Sequence, residues 1–118
     1  MADIPPSFRA SVPDDFAVDI SSDGGDLIVA VRGELDVLTA PFLWEQMEPV
    51  LAGISGKLVF EFAELGFIDS MGLGVIVRAQ TRLRGEEPGR QIVVRNLNAH
   101  ARKVFEITGL DRVLDVQP

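Results

Sequence analysis

Apolar and polar positions alternate along this chain in short segments that predict strands and helices. Residues 16–20 alternate apolar with polar side chains, and residues 27–31 form an apolar run, so both segments predict strands. The stretch SSDGGD between them is rich in turn-forming residues and predicts a hairpin loop of about four to six residues. Similar short segments predict further strands over 57–62, 91–95 and 113–116.

Three segments between these strands predict helices. The first begins after Thr39, a candidate N-cap, and has Pro41 in its first turn. The second begins at Ser70, also a candidate N-cap, and the third runs from Asn98 to a stop at Gly109. The second helix has an apolar face at i, i+4, i+7 and i+11, formed by Gly72, Ile76, Ala79 and Leu83.

The resulting order of elements is ββαβαβαβ. This order predicts an α/β domain with a mixed, mostly parallel sheet, an N-terminal hairpin and packed helices. The hairpin is expected to add an antiparallel strand at one edge of the sheet. Residues 1–15 carry three prolines and little periodicity, so they predict a flexible N-terminal tail that precedes a domain over residues 16–118.

The composition removes several classes of function. The chain has 118 residues, no cysteine and one histidine, which leaves no disulfide, thiolate metal site, cysteine nucleophile or two-histidine metal site. The net charge is −7, so binding to nucleic acid or to an anionic membrane is disfavoured. No apolar run is long enough to span a bilayer, and the N-terminus lacks the pattern of a signal peptide. These observations predict a cytoplasmic protein that is not an enzyme and that uses no cofactor or metal.

Ser70 is the residue with the most suggestive chemistry. One interpretation is a simple helix N-cap; the other is a modified serine, because a helix N-terminus tolerates a phosphate. Gly72 and Gly74 each cost about 1 kcal/mol of helix propensity relative to alanine. We therefore expect another backbone to approach this helix start closely, either from the chain's own sheet or from a partner. Leu73 and Val77 fall off the apolar face and are expected to be exposed.

Two segments resemble the signatures of a known family. Residues 33–43, GELDVLTAPFL, and residues 67–77, FIDSMGLGVIV, resemble the two motifs of the STAS domain, and more narrowly those of stand-alone bacterial anti-sigma-factor antagonists. The order of elements matches that family over residues 16–116, and the last helix and strand also resemble it. The resemblance implies a STAS-like α/β fold.

The resemblance also implies a phosphorylation switch. In that family, the serine after the aspartate of the second motif is phosphorylated by a partner kinase that also sequesters a sigma factor, and here that serine is Ser70. The unphosphorylated antagonist binds the kinase and frees the sigma factor. The phosphorylated form lets go until a serine/threonine phosphatase removes the phosphate. The implied partners are therefore an anti-sigma-factor serine kinase and a phosphatase.

The same motifs supply candidate partner-binding residues, which are Asp36, Thr39, Asp69, Met71, Gly72, Leu73 and Gly74. Asp36 and Asp69 also have a plainer interpretation as turn or capping carboxylates, and Thr39 is expected to be a cap rather than a second phosphosite. Met71 stands where a second hydroxyl residue commonly follows the serine in the family. This leaves Ser70 as the single candidate hydroxyl in the motif.

Other functions stay open at this point. The chain could be a STAS protein in another circuit, such as a signalling scaffold or a transport-accessory subunit, or a nucleotide-sensing module that holds a phosphate at the glycine-rich helix start. His100 is expected to be an exposed helix residue and Trp44 a packing residue. The arginines at positions 78, 82, 84 and 90 are expected to form a solvated face. The chain stops soon after the last predicted strand, which allows a weak homodimer.

Overall fold

Six strands and three helices follow one another in the computed structural model, which describes residues 12–118. The strands are β1 (Ala17–Asp23), β2 (Asp26–Leu35), β3 (Leu58–Glu61), β4 (Leu65–Ile68), β5 (Ile92–Arg95) and β6 (Asp115–Gln117). The helices are α1 (Ala40–Leu51), α2 (Ser70–Glu86) and α3 (Ala99–Thr108), and a 3-10 turn over Leu110–Arg112 follows α3. The predicted flexible tail over 1–15 lies largely outside the described residues.

The strands form one mixed sheet in the order β1-β2-β3-β5-β6, and β4 pairs with the last part of β2. β1 and β2 are antiparallel, whereas the pairs β2-β3, β2-β4, β3-β5 and β5-β6 are parallel. The predicted fold class, a mostly parallel sheet with an N-terminal hairpin at one edge, is therefore confirmed.

β2 is the strand that positions the rest of the site, because it pairs with two strands in succession. Its first part pairs with β3 and its last part with β4, and the register shifts between Gly33 and Glu34. Gly33 has a φ of +102°, and a Cβ at this residue would lie 3.0 Å from the carbonyl oxygen of Asp15. Only glycine adopts this backbone at low cost so close to another backbone, so Gly33 permits the shift.

One side of the sheet packs against the helices to form the core. The core residues of β3 and β5 are Leu58, Phe60, Ile92 and Val94. The alternate residues Val59 and Val93 are also buried but lie outside this cluster, as expected for side chains on the opposite face. Phe105 of α3 and Ile76 of α2 are fully buried in the same core.

The structure corrects the predicted hairpin. β1 and β2 extend to Asp23 and back from Asp26, which pair with each other, so the connection is a two-residue turn rather than a longer loop. Gly24 and Gly25 form this turn with φ values of +59° and +96°. Two glycines at positive φ allow a tight turn whose twist matches that of the strands. Because the turn is so short, the polar residues on either side of it are part of the strands rather than of the loop.

Three other element predictions need correction. β4 was not predicted, because its two central residues, Gly66 and Phe67, are exposed and its pattern does not alternate. α2 continues through Gly85 to Glu86, although the glycines at positions 85 and 89 predict a loop over 85–89. The last strand begins at Asp115, since the preceding residues complete the 3-10 turn.

The prediction for α3 is confirmed. Asn98 caps its start by accepting a hydrogen bond from the Ala101 N–H at 2.8 Å, and Gly109 ends it in the left-handed conformation. The Asn98 side chain also donates to the carbonyl oxygens of Leu65 and Gly66, at 3.1 and 3.3 Å. One side chain therefore fixes the start of α3 to β4.

Candidate functional site

The ends of β2 and β4 bring the two sequence motifs together. Leu35 pairs with Ile68, and the Asp69 N–H donates to the Leu35 carbonyl oxygen at 3.2 Å. Since the two strands are parallel, the turn that follows β2 and the helix that follows β4 leave the same edge of the sheet. The first turn of α2 therefore lies beside residues 36–39.

The start of α2 is capped by Asp69 and not by Ser70. One carboxylate oxygen of Asp69 accepts hydrogen bonds from the N–H groups of Met71 at 2.9 Å and Gly72 at 3.2 Å. The prediction of Ser70 as the N-cap is wrong, because Asp69 occupies that position with its extended backbone. Ser70 is the first helical residue, and its side chain is exposed. The hydroxyl has no hydrogen-bond partner among residues 12–118.

The turn that follows β2 is closed by hydrogen bonds between Asp36 and Thr39. An Asp36 carboxylate oxygen accepts from the Leu38 N–H at 3.0 Å and from the Thr39 N–H at 3.2 Å. The Thr39 hydroxyl accepts from the Asp36 N–H at 2.9 Å and donates to the Glu34 carbonyl oxygen at 2.7 Å. Thr39 stands at the N-cap position of α1, but its side chain does not cap that helix, which corrects the sequence prediction.

The predicted partner-binding residues divide into exposed and buried groups. Met71 is 48% exposed, Ser70 and Gly74 are exposed, and the carboxylates of Asp36 and Asp69 are half-buried. Thr39 is only 1% exposed, and Gly72 and Leu73 are buried too. The expectation that Leu73 is exposed is wrong, because its side chain packs into the core. Val77 is 40% exposed, as expected.

Sequence reasoning missed two exposed apolar residues on the turn that follows β2. Val37 and Leu38 are 61% and 49% exposed on the turn after β2. They precede α1 and read as part of its apolar pattern, so only the closed turn shows that they face solvent. Met71, which follows Ser70, is the third exposed apolar side chain on the two segments that leave this edge of the sheet, and we call Val37, Leu38 and Met71 the Ser70 rim.

The two glycines of the second motif have different surroundings. A Cβ on Gly72 would lie 2.8 Å from side-chain atoms of Ile68 and Leu35 and 2.9 Å from the Leu35 carbonyl oxygen. Gly72 therefore allows α2 to pack directly on the ends of β2 and β4. A Cβ on Gly74 would meet nothing within 4 Å among residues 12–118, apart from its own helix backbone and chain neighbours. The packing of the described chain therefore accounts for the need for glycine at position 72 but not at position 74.

An open groove runs from Ser70 along the space between α1 and α2. This α1–α2 groove has a volume of about 710 Å³, and its apolar lining includes Trp44, Met71 and Val75. The guanidinium of Arg78 lies 4.3 Å above the centre of the Trp44 ring, a cation–π arrangement. Trp44 therefore packs as predicted and also faces the groove.

The arginines of the predicted solvated face engage separate partners. Arg82 pairs with Glu48 at 3.3 Å and Glu86 at 3.4 Å, while Arg84 donates to the Val113 carbonyl oxygen at 3.0 Å. Arg90 pairs with Glu87 at 2.9 Å and donates to the Ile54 carbonyl oxygen at 2.7 Å. These contacts stabilise the surface and do not converge on a common anion site. The charged residue nearest in sequence to Ser70 is its neighbour Asp69.

Other chemistry is sparse in the part of the chain that the structure describes. Residues 12–118 contain no cluster of three or more side chains suited to holding a metal ion. No helix there is long and apolar enough to cross a membrane. His100 is exposed, as expected, and its ring stacks on Phe67 with centroids 5.2 Å apart.

The fold and the paired motifs define the class. A family model described as "Mlab, STAS domain" matches residues 18–116. The anti-sigma-B factor antagonist of Bacillus subtilis (strain 168) is 32% identical over 99 residues, which cover 84% of this chain and 88% of that protein. The crystal structure of an anti-sigma factor antagonist from Mycobacterium paratuberculosis superposes with a TM-score of 0.77 at 30% identity, covering 92% of this chain and 90% of that one.

The fold is also that of the anti-sigma factor antagonist SpoIIAA. Its unphosphorylated form gives a TM-score of 0.72 at 20% identity, covering 85% of this chain and 87% of that one. Its phosphorylated form, from Bacillus, gives a TM-score of 0.67 at 20% identity, covering 85% and 90%. This chain is a STAS domain and belongs to the anti-sigma-factor antagonist family.

Proposed function

We propose that this chain is a phosphorylation-gated antagonist of an anti-sigma-factor serine kinase. With Ser70 unmodified it binds the kinase, which releases a sigma factor. The kinase transfers the γ-phosphoryl group of ATP to the Ser70 hydroxyl, and the phosphorylated chain dissociates. A serine/threonine phosphatase restores the binding form by hydrolysing the phosphate ester. The chain itself supplies a substrate hydroxyl and a binding surface, and the catalysis belongs to its partners.

The observation that carries this proposal is the state of the Ser70 hydroxyl. It lies on the first residue of α2, is exposed, and has no hydrogen-bond partner among the described residues. A hydroxyl that is needed for folding would be bonded within the chain, as Thr39 is. The relatives named as anti-sigma factor antagonists, and the existence of a phosphorylated form of SpoIIAA, are consistent with a phosphorylation switch in this chain.

The cap on α2 makes a phosphate at Ser70 more disruptive than a bare helix start would. The Met71 and Gly72 N–H groups already donate to Asp69, so they are not available to donate hydrogen bonds to a phosphate on Ser70. Phosphorylation would add about −1.5 to −2 charges beside the Asp36 and Asp69 carboxylates. A mispaired charge in an interface costs several kcal/mol, and about 1.4 kcal/mol is tenfold in affinity. The switch therefore needs no refolding.

The partner-binding residues take different roles in this proposal. The Ser70 rim supplies the direct apolar contacts, since its three side chains are exposed. Asp36 and Asp69 each use one carboxylate oxygen to hold a local turn, which leaves the other oxygen for a partner. The buried residues are Thr39, Gly72 and Leu73. They do not contact the partner directly and instead hold the surrounding backbone in the shape that the partner binds.

The decisive experiment is incubation of the chain with its co-purifying kinase and ATP, followed by mass spectrometry. We expect one phosphate on the peptide that contains Ser70, and none in the Ser70→Ala variant. Phosphate on another residue, or none at all, would reject the assignment. Co-purification of transporter subunits in place of a kinase and a sigma factor would favour a transport-accessory role. Micromolar binding of a nucleotide at Ser70 would favour a sensor.

A further inference from the structure

We propose that the α1–α2 groove receives a segment of the partner kinase whose backbone passes directly over Gly74. The segment would place an apolar side chain against Trp44 and Met71 and a basic side chain beside Glu45. This inference rests on the proposed function and extends its binding surface from the Ser70 rim along the two helices.

The first argument is the unexplained glycine. Gly74 is the fifth residue of a 17-residue helix, a position where glycine is unfavourable. Among residues 12–118, nothing outside the backbone of its own helix and its chain neighbours lies within 4 Å of the place where its Cβ would be, in contrast to Gly72. The packing of the chain does not require glycine at position 74. The absence of a side chain there exposes the helix backbone to the groove. An exposed glycine allows the backbone of a bound partner to approach the helix closely.

The second argument is continuity with the phosphorylation site. Ser70, Met71 and Gly74 all line the α1–α2 groove, so the groove begins where the proposed kinase contact begins. Its volume of about 710 Å³ is large enough for several side chains. A kinase seated on the Ser70 rim can extend one segment into this groove without leaving the surface.

The third argument is charge. Glu45 lines the groove and has no ion pair within residues 12–118, whereas Glu48 is paired with Arg82 at 3.3 Å. Arg78 is stacked on Trp44, so its charge is turned toward the ring. Of the two groove carboxylates, Glu45 is therefore the one without an ion pair among the described residues, and it lies beside an apolar lining. A segment with a lysine or arginine next to an apolar residue complements this arrangement.

The test compares two glycine-to-alanine substitutions in the same helix. Gly74→Ala should raise the melting temperature by about 4 °C, because alanine is the better helix former and its methyl group has free space in the chain. The same variant should bind the kinase about tenfold more weakly, because the methyl group obstructs the visiting backbone. Gly85→Ala is the matched control, since Gly85 is equally open but does not line the groove. It should leave the affinity unchanged.

Glu45→Gln provides a second measurement on the same groove. We expect the kinase association rate to fall about threefold at low salt, with a weaker salt dependence, and Glu106→Gln on α3 should change neither. Wild-type affinity for both Gly74→Ala and Glu45→Gln would overturn the inference. Wild-type and Ser70→Glu chains are measured alongside. If wild type binds and Ser70→Glu does not, the proposed function stands regardless of the groove. If wild type does not bind the kinase, both proposals fail.

Discussion

The starts of α1 and α2 are built from the same chemistry and differ in what they leave exposed. Each follows a strand that ends at the same edge of the sheet, and each uses one aspartate oxygen to accept two backbone N–H groups. At α1 the nearby hydroxyl, that of Thr39, is 1% exposed and bonded to the Glu34 carbonyl oxygen. At α2 the nearby hydroxyl, that of Ser70, is exposed.

This difference separates a structural hydroxyl from one that is available for modification. The buried Thr39 hydroxyl bonds two part-buried backbone groups, so its loss should affect folding and not binding chemistry. Ser70 satisfies no group in the described chain, so its loss should affect the partner and not the fold. Four predictions follow from this contrast, in order of decreasing effect.

The largest effect is expected for Ser70→Glu. A permanent negative charge beside Asp36 and Asp69 should weaken kinase binding about 100-fold or more, as a mispaired interfacial charge would. The free energy of unfolding should change by less than about 0.5 kcal/mol, because the residue is exposed. Titration calorimetry with the kinase and urea denaturation measure the two quantities. Ser70→Ala should bind like wild type, and equal affinity of all three chains would contradict the switch.

The next effect concerns the packing of α2 on the strand ends. Gly72→Ala should lower the free energy of unfolding by about 2 kcal/mol, because its Cβ would lie 2.9 Å from the Leu35 backbone oxygen. Urea denaturation measures the change, and Gly74→Ala provides the control that should not destabilise. An unchanged Gly72→Ala stability would show that α2 can shift away from the sheet without cost.

A related effect is expected at the start of α1. Thr39→Val removes the hydroxyl and keeps the shape, which leaves the Glu34 carbonyl oxygen and the Asp36 N–H without this partner. The free energy of unfolding should fall by about 1–2 kcal/mol, and Thr39→Ser should recover most of it. Thermal denaturation measures both variants. If Ser70→Ala destabilised as much as Thr39→Val, the contrast between the two hydroxyls would be lost.

The smallest effect is expected from the cap of α2. Asp69→Ala should cost about 1 kcal/mol of stability, since it leaves the Met71 and Gly72 N–H groups unpaired. Asp69→Asn should retain most of the stability, because an amide oxygen also caps a helix. Chemical denaturation of the two variants measures the difference. Equal losses in both would show that the charge of Asp69, rather than its hydrogen bonds, supports the helix start.

Much of the fold could be predicted from the sequence because its signals are local. The face of α2 and the cap and stop of α3 depend on residue spacing within one helix, and both were predicted correctly. β4 could not be predicted, because a four-residue strand with two exposed central residues has no alternating pattern. Its existence depends on pairing with the end of β2, which is distant in sequence.

The candidate site shows the same division. The motif residues around Ser70 could be selected from the sequence, and their family is confirmed. Their individual surroundings could not be predicted, since Leu73 is buried by the core and Val37 is exposed by the closed turn. Whether an apolar residue near a helix start faces inward depends on contacts with other elements.

The sequence by itself determined the α/β class, the mostly parallel sheet and the two motifs, because periodicity and local turn chemistry are properties of neighbouring residues. Only the tertiary structure decided which carboxylate caps α2, which glycine the sheet requires and which hydroxyl stays free. Those outcomes depend on how the end of β4 meets the end of β2. That meeting places Gly72 against Leu35 and leaves Ser70 and Gly74 facing outward.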